Sequence, residues 1–377
     1  MVSIARRLGM ASLGLLTLAT TLTAQQHYKQ TNLISDIPGM AAVTDPNLKN
    51  AWGMSRSSGS PWWVSDNATG LTTLYTGAGA AVALGQPCPA GTFTNCVVVP
   101  SGDTKASPTG TPTGQVFNGT SDFELAPKMP AFFIFVTEDG TISGWNPKVN
   151  GPSAVIMVNK HSASVFKGVA LATVKKPDSS LANQLYVADF RKGRVEIYDG
   201  NFHPMPLSDD AFKDDEIPAG YAPFNVQNIG GNIYVAFAEQ DSQKHDDVKG
   251  AGHGYVDVFT TTGHLLLRLQ HGNWFNSPWG MTQAPSDFGL FSHDLLVGQF
   301  GSGQILVFNP VTGAFRGTLN DASNHPINID GLWDIAFGSG GTSGPATTLF
   351  FTAGLNDEAD GLFGTITAIE NVLGGDL

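Results

Sequence analysis

Charged side chains are scarce in this chain: Asp, Glu, Lys and Arg make up 14% of its 377 residues, against roughly 25% in an ordinary soluble domain. Cations are the scarcer sign, with 20 Lys and Arg against 32 Asp and Glu and a formal net charge of −12. With no basic run, the chain is a poor nucleic-acid binder and would be repelled by an anionic membrane surface. Uninterrupted helix-forming segments are missing too, because 45 Gly and 22 Pro punctuate the sequence and both residue types break helices. That excludes a coiled coil or a long-helix protein. The aromatics, 23 Phe, 7 Trp and 7 Tyr, argue against disorder, because disordered chains hold few of them. The composition points to a turn-rich, all-β globular protein, long enough to bury a full core.

The first 24 residues read as a secretory signal. Arg6 and Arg7 supply the positive start, residues 8–22 the apolar stretch, and Thr23-Ala24 a small-residue cleavage region. A bound N-terminal helix is the other reading. The stretch is too short and too Thr-rich for a membrane span of about 20 residues, and no later segment approaches that length. Cleavage would leave 18 basic against 32 acidic side chains, a net charge of −14, on a secreted or periplasmic protein without membrane insertion. Only two cysteines occur, Cys88 and Cys96, in the run CPAGTFTNC. In an exported chain they suggest a local disulfide; a metal pair is the alternative, with no His nearby to complete a site.

A cassette recurs along the rest of the chain. A short strand beginning with an aromatic or small apolar residue appears as Ala51-Trp52-Gly53-Met54, Gly168-Val169-Ala170-Leu171, Pro223-Phe224-Asn225-Val226, Pro278-Trp279-Gly280-Met281 and Leu332-Trp333-Asp334-Ile335. Asp122-Phe123-Glu124-Leu125 reads as a degenerate sixth copy. After a turn comes a hydrophobic strand, usually closed by a polar residue, as in Trp62-Trp63-Val64-Ser65-Asp66 and Leu185-Tyr186-Val187-Ala188-Asp189, and then a third, alternating strand. The anchors Val169, Phe224, Trp279 and Trp333 lie 55, 55 and 54 residues apart. Short strands repeated at this period predict a β-propeller of six blades; a sandwich would not need the repeat. Residues 28–34 are strand-like and the last unit ends one strand short, so the N-terminal strand is expected to complete the final blade and close the ring. Residues 25–377 then form one domain, with 98–114 as a flexible surface loop.

In a propeller the residues just before each inner strand and just after the second emerge on one face. The first position contributes Asn50, Lys167, Asn276 and Asp330, with Asn225 just inside its strand. The second contributes Asp66, Asn67, Glu138, Asp139, Asp189, Arg191, Glu239, Asp241, Gln299, Asn356, Asp357 and Glu358. Such oxygen donors are what Ca²⁺ prefers; the same residue types also end strands by bonding turn backbones. The long excursion 239–253 holds Asp241, His245, Asp246, Asp247 and His253, yet its spacing matches no EF-hand and no His-x-x-x-His pair, so a solvated loop is the simpler reading. No nucleophile-elbow Gly-x-Ser-x-Gly occurs. The Trp residues that recur at equivalent positions read as inter-blade packing.

The runs DPNLKNAWGM, VFNGTSDFEL, TEDGTISGWNP, LYVADF, SPWGM, LLVGQFGSGQI, IDGLWDIAFG and FTAGLNDEADGLFG resemble an uncharacterised family of exported bacterial propellers, related to NHL-repeat proteins. The likeness spans about residues 31–370 and implies six blades and export, with no established activity. Some members carry a C-terminal Pro-Glu-Pro sorting signal with a membrane segment. This chain ends Gly-Gly-Asp-Leu, so release as a soluble protein is expected. A more distant similarity is to gluconolactonase-like and streptogramin-lyase-like propellers, which hold an axial metal on Glu, Asn and Asp. That similarity implies Asn225, Asn276 and Asp330 as metal ligands, with Asn50 standing where the pattern has Glu.

Two functions follow. The first is a non-catalytic binding or interaction module that presents the carboxylate-rich face to a small molecule, glycan or protein; its ligand-binding residues would be Asn50, Asp66, Asn67, Asp189, Asn225, Glu239, Asn276, Gln299 and Asp330. The alternative is a divalent-metal-dependent hydrolase or lyase, with axial Ca²⁺ as Lewis acid and Asp189 or Asp330 as general base.

Overall fold

In a computed structural model, which describes residues 26–85, 88, 94–176 and 178–369, the chain forms six sheets placed around one axis as the blades of a β-propeller. The predicted leader lies outside the described residues. Inner strands are Ala51–Ser55, Pro112–Phe117, Phe166–Lys175, Tyr221–Ile229, Pro278–Gln283 and Leu332–Phe337, in blades 1 to 6. Each pairs antiparallel with the second strand of its blade. Blade 2 corrects the expected repeat. Its inner strand is Pro112–Phe117, so the last three residues of the expected loop belong to it, whereas Glu124–Ala126 forms a small hairpin with Met129–Pro130. Thr113-Gly114-Gln115 carries no aromatic anchor, which hid the strand from the pattern.

Closure occurs as expected. His27–Ser35 pairs antiparallel with Asp360–Ile369 from His27↔Ile369 to Ser35↔Leu362, and Val43–Thr44 adds in parallel on its outer side. Tyr28, almost wholly buried, packs against Phe288 and Phe291 and donates its hydroxyl to the Phe288 carbonyl at 3.1 Å, tying blade 6 to blade 5. The Cys88–Cys96 disulfide is formed beside the outer strand Cys96–Val98 of blade 1.

The core lies between blades. All six inner strands carry a register shift near the same level, the mark of a β-bulge. The residues there are Gly53, Gly114, Gly168, Asn225, Gly280 and Asp334. Neighbouring inner strands approach backbone to backbone at these bulges. A Cβ on Gly168 would lie 2.1 Å from Asn225 Oδ1, and one on Gly114 would lie 2.8 Å from the Val169 nitrogen. Glycine is therefore a packing requirement at the four of these positions that hold it, set by the close approach of the neighbouring inner strand.

Candidate functional site

The upper end of the axis, where the inner strands begin, is closed by aromatics. Trp52, Trp279, Trp333, Phe190, Phe224 and Phe300 form one buried cluster. Trp333 stacks between Trp52, 3.6 Å away, and Phe300, 3.8 Å away. The Trp residues near the start of inner strands thus meet at the axis and join blades 1, 5 and 6.

A polar network caps this plug. The Lys167 side chain, 1% exposed, puts its ammonium 2.5 Å from Glu138 Oε1 and 3.2 Å from Asp246 Oδ1, with the Trp52 ring 4.9 Å below. Asn67 donates to Glu138 Oε2 at 2.9 Å, and Asn50 donates to Glu358 at 2.7 Å while accepting the Trp333 indole N–H at 2.9 Å. Of the sequence-predicted ligand residues, Asn50 and Asn67 are brought together, with Glu138, Lys167 and Glu358 joining them.

The others are dispersed. Asp66 and Asp189 are fully buried, and burial pushes both carboxyls above their usual range. Asp189 Oδ1 accepts the Lys192 N–H at 3.2 Å, the strand-ending role that Asp takes in turns. Gln299, also buried, accepts the Asn276 N–H at 2.8 Å, and Asn276 Oδ1 accepts the Gly250 N–H at 2.7 Å. Asp330 accepts the Asn356 N–H at 3.0 Å, and Glu239 lies 3.0 Å from His253 Nδ1. Asn225 sits at the bulge level, donating to the Trp279 carbonyl at 2.8 Å and lining the cavity beneath the plug. Asn225, Asn276 and Asp330 are each spent on separate backbone groups.

The oxygen and nitrogen donors of Glu138, His245 and Asp246 lie within 4.8 Å of one another, a spacing that could suit a metal. The Lys167 ammonium rests on both carboxylates, however, and already supplies the positive charge a divalent ion would bring. His245 Nδ1 is turned to Asp246 at 2.9 Å. A Ca²⁺ ion takes six to eight oxygen ligands; this donor set does not fit one.

Below the plug the axis widens into a cavity of ≈ 500 Å³ lined by all six inner strands. Its wall holds the carboxamides of Gln115, Asn225, Gln227, Asn228 and Gln283, the hydroxyls of Ser55 and Thr282, and the charged groups of Arg56 and Asp334. Asp334 stands at a bulge level occupied by Gly in four other blades. Its Oδ2 accepts the Met54 N–H of blade 1 and its Oδ1 its neighbour's N–H at Ile335, both at 2.8 Å. Burial pushes its carboxyl up to about 7 against those two donors. Arg56 donates from Nε to the Phe337 carbonyl at 2.9 Å and from Nη2 to the Gly338 carbonyl at 3.0 Å. Sequence reasoning passed over Arg56, Gln115, Gln227 and Asp334. One signal was present: Asp334 replaces the Gly that follows Trp52 and Trp279.

These features define an all-β, six-bladed propeller with a sealed upper axis and an open polar cavity below. The chain belongs to the family of Uncharacterized protein R648 of Acanthamoeba polyphaga mimivirus, to which it is 30% identical over 353 residues, covering 90% of this chain and 80% of that protein. No family model matches the chain. Among solved structures it is similar to an auxiliary nutrient binding protein from Bacteroides ovatus, with TM-score 0.53 and 11% identity, covering 92% of this chain and 78% of that one. It is also similar to a protein of unknown function from Bacteroides thetaiotaomicron, with TM-score 0.52 and 11% identity, covering 92% and 77%. At that identity the two likenesses concern the fold alone.

Proposed function

We propose that this protein is an exported binding module that takes a small polar molecule into the lower axial cavity and releases it unchanged. The carrying observation is the cavity itself, ≈ 500 Å³ and lined by all six blades, within the range of about 300–1,000 Å³ typical of small-molecule sites. Its polar side chains are mostly amides and hydroxyls, which orient a ligand by hydrogen bonding and do not titrate near neutrality. Its one lining carboxylate has both oxygens engaged by backbone N–H groups, a positioning role. Export is supported by the leader-like residues 1–24 and by the disulfide, since such bonds persist in oxidising compartments. The carboxylate-rich upper face, occupied by its own Lys167 network, serves as a rigid cap in this reading.

The test is a thermal-shift screen of the mature chain against a small-molecule collection, with Thr282→Trp filling the cavity and Asp330→Ala altering the upper face. Ligands that stabilise the wild type and Asp330→Ala but not Thr282→Trp support the cavity. Ligands whose effect survives Thr282→Trp and vanishes with Asp330→Ala move the site to the upper face and overturn it.

A further inference from the structure

The chemistry of the cavity wall narrows what it takes, an inference that rests on the cavity being the binding site. We propose that the ligand is an uncharged, polyhydroxylated molecule of sugar size. Arg56 and Asp334 are the charged residues of the wall, one of each sign, so the lining carries no net formal charge. Both already hold hydrogen bonds to neighbouring backbone groups, and neither has a second charge of its own sign beside it in the wall. The Arg56 guanidinium spends Nε and Nη2 on the Phe337 and Gly338 carbonyls and lies 5.3 Å from the centre of the Trp62 ring; burial lowers its hold on the proton. Asp334 is held by the Met54 and Ile335 N–H groups. An anion would meet no cluster of donors of the kind that recognises carboxylate or phosphate. A cation would meet a single carboxylate that burial already disfavours as an ion.

What remains unspent is neutral. Among the described residues the Gln227 carboxamide and the Thr282 hydroxyl have no hydrogen-bond partner, although both line the cavity and are only half exposed. Carboxamides and hydroxyls each both donate and accept. That is the complement of a hydroxyl-rich molecule, whose groups also do both. Phe117 and Trp279 add apolar wall against which the C–H faces of such a ligand can rest. Gln227 and Thr282 lie on the inner strands of adjacent blades 4 and 5, so they flank one side of the cavity and would set the ligand's orientation.

The experiment is calorimetric titration of the mature chain with neutral probes (D-glucose, D-galactose, sorbitol and trehalose) beside the charged analogues D-gluconate and D-glucosamine. Gln227→Leu and Thr282→Val remove groups that no other side chain depends on, so both variants should keep the wild-type circular dichroism and melting curve. The expected result is binding of at least one neutral probe, roughly tenfold or more weaker binding of its charged analogue, and a loss of roughly tenfold in each variant. A charged analogue that binds as tightly as its neutral parent, or no binding by any neutral probe, overturns the assignment of ligand class. Neutral binding that persists in Thr282→Trp overturns the cavity reading instead, which keeps the two failures apart.

Discussion

Lys167, placed on the upper face by its position before an inner strand, holds the cap together through its charge. Burial alone would lower the pKa of its ammonium, but the attraction of Glu138 and Asp246 and the hydrogen bond to Glu138 outweigh it and hold the pKa above its ordinary value. Removing one member of a buried pair leaves the other uncompensated, at a cost of about 3–5 kcal/mol. Lys167→Met should therefore destabilise the fold by that order in a denaturant titration, and adding Glu138→Gln should recover much of the loss. If Lys167→Met alone is neutral, the network is not what secures the cap. Taking residues just before each inner strand and just after the second strand collected Asn50, Lys167, Asn67 and Glu138 on one face. It could not tell that Asp66 and Asp189, chosen by the same rule, point into the blades, because orientation at a strand end depends on the turn that covers it. Asp334 escaped notice because its unit still matched the aromatic pattern.

Among the elements, the N-terminal strand His27–Ser35 carries the closure of the ring. It was legible because residues 28–34 are strand-like and the last unit lacked a strand. Its anchor, Tyr28 between Phe288 and Phe291, was not, since those contacts join residues some 260 positions apart. Truncating a buried aromatic costs about 3–5 kcal/mol. Tyr28→Ala should cost this much and also raise amide exchange in 28–34 and 362–369, while blades 2 to 4 keep their protection; uniform loss across all blades would contradict a local latch. The inner strand of blade 2 shows the converse. Pro112–Phe117 lacks an aromatic anchor, and only its close approach to Gly53 and Gly168 on either side reveals its place at the axis.

Across the whole molecule, the excess of acid has a predictable consequence for stability. Burial, with Asp214 nearby, raises Asp257 to about 8, and burial raises Asp334 to about 7 and Asp66 well above its usual range. A carboxyl whose pKa is raised by folding binds its proton more tightly in the folded state. Its contribution is therefore greatest below the unfolded value near 3.9 and declines as pH rises toward the folded value. Asp246 and Asp214 work the other way, held low chiefly by hydrogen bonds from His245 and Arg268, and lose their contribution as pH falls below about 4. Thermal stability should thus peak at about pH 4 and decline from there to about pH 8. Asp257→Asn should flatten the upper part of that decline; a melting temperature that rises from pH 5 to 8 would contradict the assignment.

Sequence alone determined the architecture of this protein. Strand length, turn spacing and the aromatic anchor are local properties that repeat, so six units, a closing strand and a disulfide could be read residue by residue. Tertiary structure alone decided where a ligand can sit. Six inner strands bring Trp52, Trp279 and Trp333 together to seal one end of the axis and leave the carboxamides of blades 2, 4 and 5 around a cavity at the other. Those residues are separated by whole blades in the chain, and ring closure is the physical event that makes them neighbours.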